Sequence, residues 1–245
     1  MKLASSTHIA ITPAVQDYLR AIYDLAQQGP PDGRVTTSQL AERLGVRPAS
    51  ITQMLGKMAA ASSALVDYHK SHGVCLTCHG EREVLAVIRA HRLLESYLCR
   101  KLGYEWDEVH EEAHRLEHVV NDALIERLAE SLGHPDRDPH GQAIPAGDLS
   151  LSQPVSVPLC DLRSGDSAVV SFVHDDDPEL LRYLALIGLV PDAELVLTEH
   201  DPQSRLHWIG IDGQEPKPLG EAVTRNVFVE RPLPKSETQG VKRSQ

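Results

Sequence analysis

The apolar residues of this 245-residue chain change their prevailing spacing past the middle, and that change limits what the chain can fold into. Up to about Leu132 they recur at helical intervals, whereas from 153 to 232 they gather into short β-type runs. Helical spacing builds one buried stripe; short runs rich in Val and Ile build strands. Between the two lies Gly133 to Ser152, rich in His, Pro, Gly and Asp, which reads as a linker. The expectation is a mainly α chain with a small β domain. Aromatics are few (two Trp, two Phe, six Tyr), so the cores must be built from Leu, Val, Ile and Ala.

From Thr12 to about Thr77 the pattern predicts three helices and a hairpin. Thr12-Pro13 supplies an N-cap with Pro at the first helical position, and Val15, Leu19, Ile22 and Leu25 mark one apolar face. Gly29-Pro30-Pro31 ends that helix. Thr36-Thr37-Ser38 caps a short helix that Gly45 closes, and Pro48-Ala49-Ser50 opens a third with Ile51, Met54, Leu55 and Met58 turned inward. Leu65–Lys70 and Val74–Thr77 flank Ser71-His72-Gly73, a strand–turn–strand signal. Three helices and a hairpin make a winged helix-turn-helix, predicted over residues 1–79.

Residues 80–133 read as two long helices separated by Gly103. Two helices bury little alone, so pairing with a second copy is expected. Beyond the linker (134–152), the runs Ser167–Val173, Glu194–Thr198, Leu206–Ile211 and Asn226–Glu230, interrupted by the apolar helical stretch Pro178–Leu189, predict a small β-barrel with one helix over 153–232. The polar stretch 233–245 is expected to be disordered.

Net charge is −11, which at first opposes nucleic acid. Its distribution matters more. Residues 1–80 hold seven Lys and Arg against five acids, a surplus of +2, so the other 165 residues hold −13. A mildly basic head on an acidic body suits contact with phosphate, although unevenness by chance accounts for this fact equally well. No stretch nears the roughly 20 apolar residues of a membrane span, and Met1–Thr12 does not read as a secretory signal. Four cysteines (Cys75, Cys78, Cys99, Cys160) are too sparse for a disulfide scaffold. A cytoplasmic location without membrane contact is therefore expected.

The densest chemistry is Val109 to His118. On a helix, His110, His114, Glu117 and His118 fall within an arc of roughly 100°. Imidazoles and a carboxylate on one face form a borderline-to-hard ligand set. His91 and Glu95 on the preceding helix form another same-face pair, so antiparallel packing would place six ligands at two neighbouring metal sites. The alternative is a solvated, His-rich helix face. His110-Glu111-Glu112-Ala113-His114 also fits H-E-x-x-H, the zinc peptidase signature. No glycine-bearing extension with a third ligand follows it, and the segment comes after a DNA-binding-like head, so no enzyme is expected. Cys75-Leu76-Thr77-Cys78-His79 fits the C-x-x-C-H haem attachment pattern, but Val74 and Leu76 suit the second wing strand better.

Taken together these segments resemble the diphtheria toxin repressor and manganese transport regulator family of metal-dependent transcriptional repressors. Asp17-Tyr18-Leu19-Arg20-Ala21-Ile22-Tyr23 resembles the family's first-helix motif. Leu40–Leu44 with Pro48–Leu55 is similar to its helix-turn-helix, and His91–Glu95 with Val109–His118 to its metal-binding helices. The resemblance covers nearly the whole chain and implies a helical dimerisation and metal-binding domain, followed by an SH3-like β-barrel. It implies a homodimer that binds a palindromic double-stranded DNA operator and controls metal homeostasis genes.

By the same resemblance, a primary activating site uses Asp17, His114, Glu117 and His118, and an ancillary site uses His91, Glu95 and His110. Asp176 and Glu179 are the candidates to complete the ancillary site, unless they merely favour a helix N-terminus. The iron branch has Met at the position of Asp17, where the manganese branch has Asp. A carboxylate is harder than a thioether, so Mn²⁺ is expected first and Fe²⁺ second. His114 follows neither branch, and Arg20 resembles the iron branch. Ser50, Thr52 and Gln53 are the expected groove residues, with Arg47, Lys57 and Lys70 on phosphates; Ser50 could equally be a helix cap. The competing reading is a metal-independent regulator whose barrel is a protein-interaction module.

Overall fold

The computed structural model describes residues 9–29, 32–152, 154–174 and 176–231. The stretch 233–245, Pro30-Pro31 and most of Met1–Thr12 lie outside the described residues. The chain forms two compact units, one from residues up to 102 with 111–136 and 144–151, the other from 103–110, 137–143 and 152 onward.

The first unit begins with helix α1 (Pro13–Gln28), whose N-cap Thr12 accepts from the Val15 amide. A capping box of Thr36 and Gln39 starts α2 (Thr37–Leu44), and Gly45 at φ +64° ends it. Pro48 opens α3 (Pro48–Ala60). Strands β1 (Val66–His69) and β2 (Gly73–Leu76) pair antiparallel, from Val66 opposite Leu76 to His69 opposite Gly73. Val35 bridges Val74 and ties the wing to the start of α2. Leu19, Ile22, Leu40, Ile51, Leu55, Met58 and Leu65 are fully buried in the common core. Each such side chain stabilises the head by about 1.5–3 kcal/mol relative to exposure. Met54, expected inward, is only half-buried, because Ile51, Leu55 and Met58 already fill that face of α3.

Helix α4 (Cys78–Tyr97) continues into a π-turn, Leu98–Leu102, and packs on α1. The segment after Gly103 departs from the expectation of one long second helix. There are two, α5 (Val109–Glu117) and α6 (Asp122–Leu132). Asn121 takes an extended conformation and its side chain accepts from the Leu124 amide, so it starts a new helix rather than continuing the old one. Consequently Val119 is 77% exposed at the break. The stretch read as a linker is packed. Arg89 of α4 donates to the Pro145 carbonyl (2.7 Å), and Leu149 and Leu151 lie against the head core.

The second unit is a six-stranded antiparallel sheet. Its strands are β3 (Val157–Pro158), β4 (Ser167–Val173), β5 (Glu194–Asp201), β6 (Leu206–Ile211), β7 (Lys217–Gly220) and β8 (Val227–Glu230). Their order is β3-β8-β4-β5-β6-β7, and register shifts at Val170/Phe172 and Leu197/Glu199 interrupt the ladders. Such bulges increase local twist and let a short sheet curl around a core. Helix α7 (Pro178–Ile187), capped by Asp177 and closed by Gly188, buries Leu181 and Leu184 against Val170, Leu197, Ile209 and Val229. The short helix α8 (Glu221–Thr224) joins β7 to β8. The four runs expected from sequence became β4, β5, β6 and β8; β3 and β7 are short and carry Pro, which hid them.

Gly80 in the first turn of α4 has an exacting position, since a Cβ there would lie 2.0 Å from the Leu65 carbonyl oxygen. Thr77 beside it donates to the Ala64 carbonyl and accepts from the Gly80 amide, locking the helix start to the wing. Although Ala favours helix, Gly80→Ala should lower stability by about 1–3 kcal/mol through overpacking. A urea midpoint unchanged or raised would show that α4 can shift freely there.

Candidate metal centre

Three elements of the first unit converge on one buried carboxylate. Glu117, the last residue of α5, is 7% exposed. Its Oε1 accepts from His114 Nδ1–H and its Oε2 from His91 Nδ1–H, each at 2.7 Å. The other nitrogen of His91 faces Glu95 Oε1 at 2.9 Å, with both residues buried in α4. Burial alone opposes the imidazolium, but the charge of Glu95 and the hydrogen bonds to Glu117 and Glu95 outweigh it, raising the His91 pKa to about 9. Burial likewise raises the Glu117 carboxyl, and the hydrogen bond and charge of His91, then of His114, reverse the effect to hold it below its ordinary value.

One helical position beyond Glu117, His118 turns back toward α1. Its Nε2 lies 3.5 Å from Asp17 Oδ1 and 3.5 Å from Glu117 Oε1. Its Nδ1–H donates to Gln16 Oε1 at 2.8 Å. Donor atoms of Asp17, His114 and His118 all lie within 4.8 Å of one another. Two carboxylates and two imidazoles thus face one point, partly open to water at Asp17 and His114. The donor set fits a borderline-to-hard divalent cation. Oxygens of Asp17 and Glu117 both approach the same ring nitrogen, so a cation placed among them would be favoured by their charge.

The four residues of the expected primary set are therefore brought together. Of the expected ancillary set, His91 and Glu95 form the buried pair beside Glu117. His110 sits half-buried one turn before His114 on α5, in the 103–110 stretch of the second unit. Asp176 and Glu179 are exposed in that unit at the start of α7, where Asp177 provides the cap. Arg20 pairs with Asp24 (3.0 Å). Two relations escaped the sequence. The bond from His91 to Glu117 links helices 26 positions apart, and no spacing rule reports it. Gln16 was overlooked because an amide carries no ligand signature, although its place beside Asp17 was the available signal.

The other surface of the head is α3. Ser50, Thr52, Gln53 and Lys57 are exposed on one side of it, Arg47 is its exposed N-cap, and Lys70 is exposed in the turn of the wing. The Ser50 amide donates to the Arg47 carbonyl, and Arg47 rather than Ser50 occupies the N-cap, so the capping alternative for Ser50 is not what the helix uses. Thr52 Oγ1 donates to the Pro48 carbonyl (3.1 Å), which leaves Gln53 with the larger polar reach.

A winged head on a helical body with a carboxylate–imidazole centre beside its first helix defines the class: a metal-dependent transcriptional repressor. Residues 10–74 match the family described as "Iron dependent repressor, N-terminal DNA binding domain". Residues 77–146 match "Iron dependent repressor, metal binding and dimerisation domain", and residues 157–231 match "FeoA domain". The chain is 33% identical to the iron-dependent repressor IdeR of Mycobacterium leprae over 226 residues, 87% of this chain and 95% of that one. It is 35% identical to the diphtheria toxin repressor of Corynebacterium efficiens over 162 residues, covering 64% and 68%. Among solved structures, a manganese-dependent transcriptional repressor in complex with manganese is similar at TM-score 0.80 and 39% identity, covering 88% of this chain and 99% of that one. ScaR with bound Zn²⁺ is similar at TM-score 0.76 and 32% identity, covering 88% and 98%. The chain belongs to the iron-dependent repressor family, that of the diphtheria toxin repressor. Among the described residues no helix is long and apolar enough to cross a membrane.

Removing His91 takes from the buried Glu95 and Glu117 carboxylates the imidazole that lies between them. His91→Ala should therefore cost the metal-free protein about 3–5 kcal/mol, the usual penalty for stripping one partner from a buried pair. Denaturant unfolding in chelator measures it; a loss under about 1 kcal/mol would mean that water reaches the carboxylates.

Proposed function

We propose that this repressor is activated by manganese, with iron as the second choice, and that activation runs through Asp17, His114, Glu117 and His118. The observation that carries the reading is the approach of Asp17 from α1 and Glu117 from α5 to the same nitrogen of His118, each at 3.5 Å. A divalent cation bound there supplies the positive charge that these donors together lack. Asp17 then holds α1 to the end of α5. Because α1 packs on α2, and α2 on α3, that hold fixes the direction in which α3 is presented. In a two-fold dimer the spacing of two such helices must match about one turn of DNA or a multiple of it, so a palindromic operator is read only when both are set. Metal homeostasis genes are the targets such a switch suits.

The preference for manganese is supported by the carboxylate of Asp17, a hard ligand. The similar solved repressor in complex with manganese supports it too. Iron is supported by the names of the curated relatives. His91, Glu95 and His110, with Asp176 and Glu179, are assigned to an ancillary site by the family resemblance alone. On the DNA side, Gln53 is assigned to base recognition with Ser50 and Thr52, and Arg47, Lys57 and Lys70 to phosphates. The exposed Val119 and Leu124 beside the α5–α6 break supply apolar surface for the second copy.

Operator retardation across Mn²⁺, Fe²⁺, Zn²⁺ and chelator tests the reading. Metal should tighten binding about 5- to 150-fold, corresponding to a coupling of about 1–3 kcal/mol. Asp17→Ala and Glu117→Ala should lose that gain while remaining folded. Equal binding by the wild type in chelator would instead favour a metal-independent regulator. Separately, Gln53→Ala should cost about 1–3 kcal/mol of discrimination between operator and altered sites. An unchanged preference would remove Gln53 from readout.

A further inference from the structure

The primary centre has a neighbour that is not a ligand. Gln16 precedes Asp17 on α1, and the two side chains bracket the His118 ring. Asp17 lies toward Nε2 at 3.5 Å, and Gln16 Oε1 is 2.8 Å from Nδ1. A neutral imidazole carries one proton, and whichever nitrogen holds it cannot bind metal. With Nδ1–H donated to the Gln16 oxygen, Nε2 is left as the lone-pair donor on the side where Asp17 and Glu117 converge. His118 lies just beyond the end of α5, so helical hydrogen bonding does not fix its direction. Its side chain is largely buried (13% exposed), which keeps water from substituting freely for the amide.

We propose that Gln16 is a positioning residue for the metal centre, holding His118 in the Nδ1–H tautomer and turning Nε2 to the ligand cluster. The same bond makes a second tie from α1 to the α5 end, beside the one through Asp17. The proposal rests on the assignment of Asp17, His114, Glu117 and His118 as the primary metal site. It is distinct from ligation, because an amide oxygen already engaged by an imidazole N–H is directed at the ring rather than at the cluster. Partners of this kind orient metal-ligating histidines, and their loss commonly weakens metal affinity about 10- to 100-fold.

The test uses the full chain with three side chains at position 16. Calorimetry gives the Mn²⁺ dissociation constant, and NMR of the Zn²⁺-loaded protein with ¹⁵N-labelled histidine reports the proton on His118 Nδ1. Gln16→Leu should weaken Mn²⁺ binding about 10- to 100-fold and expose the Nδ1 proton to rapid exchange. Gln16→Glu, which still offers an acceptor oxygen, should restore both within a few-fold. Thermal unfolding in chelator separates this from simple packing, since a structural role would lower the midpoint of Gln16→Leu without moving the affinity. Affinity of Gln16→Leu within twofold of wild type, or Gln16→Glu as weak as Gln16→Leu, would overturn the role of Gln16. Wild type that took up neither ion would overturn the metal reading itself, and this proposal with it.

Discussion

A carboxylate nearly closed off from water must be neutralised, and at Glu117 that requirement organises the first unit. Its two oxygens accept from His91 and His114, and one of them lies near His118, so a single residue joins α4, α5 and, through His118, α1. Beside it, burial opposes the His91 imidazolium, but the charge of Glu95 and the hydrogen bonds to Glu117 and Glu95 favour it. Protons and a divalent ion thus compete for the same donors. The donors of Asp17, His114 and His118 are already gathered within 4.8 Å of one another, as the proposed site requires.

Two kinds of interaction hold the head to the rest of the first unit. Its core of Leu19, Ile22, Leu40, Leu55 and Leu65 is fully buried. Its ties to α5, by contrast, are polar and few, through Gln16 and Asp17. Apolar packing is non-directional and holds the helices of the head together. Charged and hydrogen-bonded ties are directional, and under the proposed activation they are the ones whose strength a cation would change. Stability and regulation are therefore carried by different interactions within one unit.

Much of this was legible in the amino-acid order. Thr12-Pro13, Thr36 and Gly45 announced helix ends that the structure places there, because caps act through neighbours in sequence. The arc of His110, His114, Glu117 and His118 follows from helical geometry alone. Asp17 needed the family resemblance, since nothing local connects it to residues a hundred positions away. The break at Asn121 was missed because Val119, Val120 and Leu124 keep a helical spacing across it, and a single capping side chain overrode that pattern. The His91–Glu117 bond and Gln16 were invisible for another reason. Pairing between distant elements depends on how they pack, and side chains with ordinary surface roles give no sign of it.

The backbone passes between the two units five times, at residues 102, 110, 136, 143 and 151. Such interleaving denies the protein true modularity. A cut at 151 would leave behind residues 103–110 and 137–143 of the second body, with Trp106 and His140, which stack on each other there. Shuffling of the barrel onto another regulator, or its loss by simple truncation, would have to carry these two short insertions along with it.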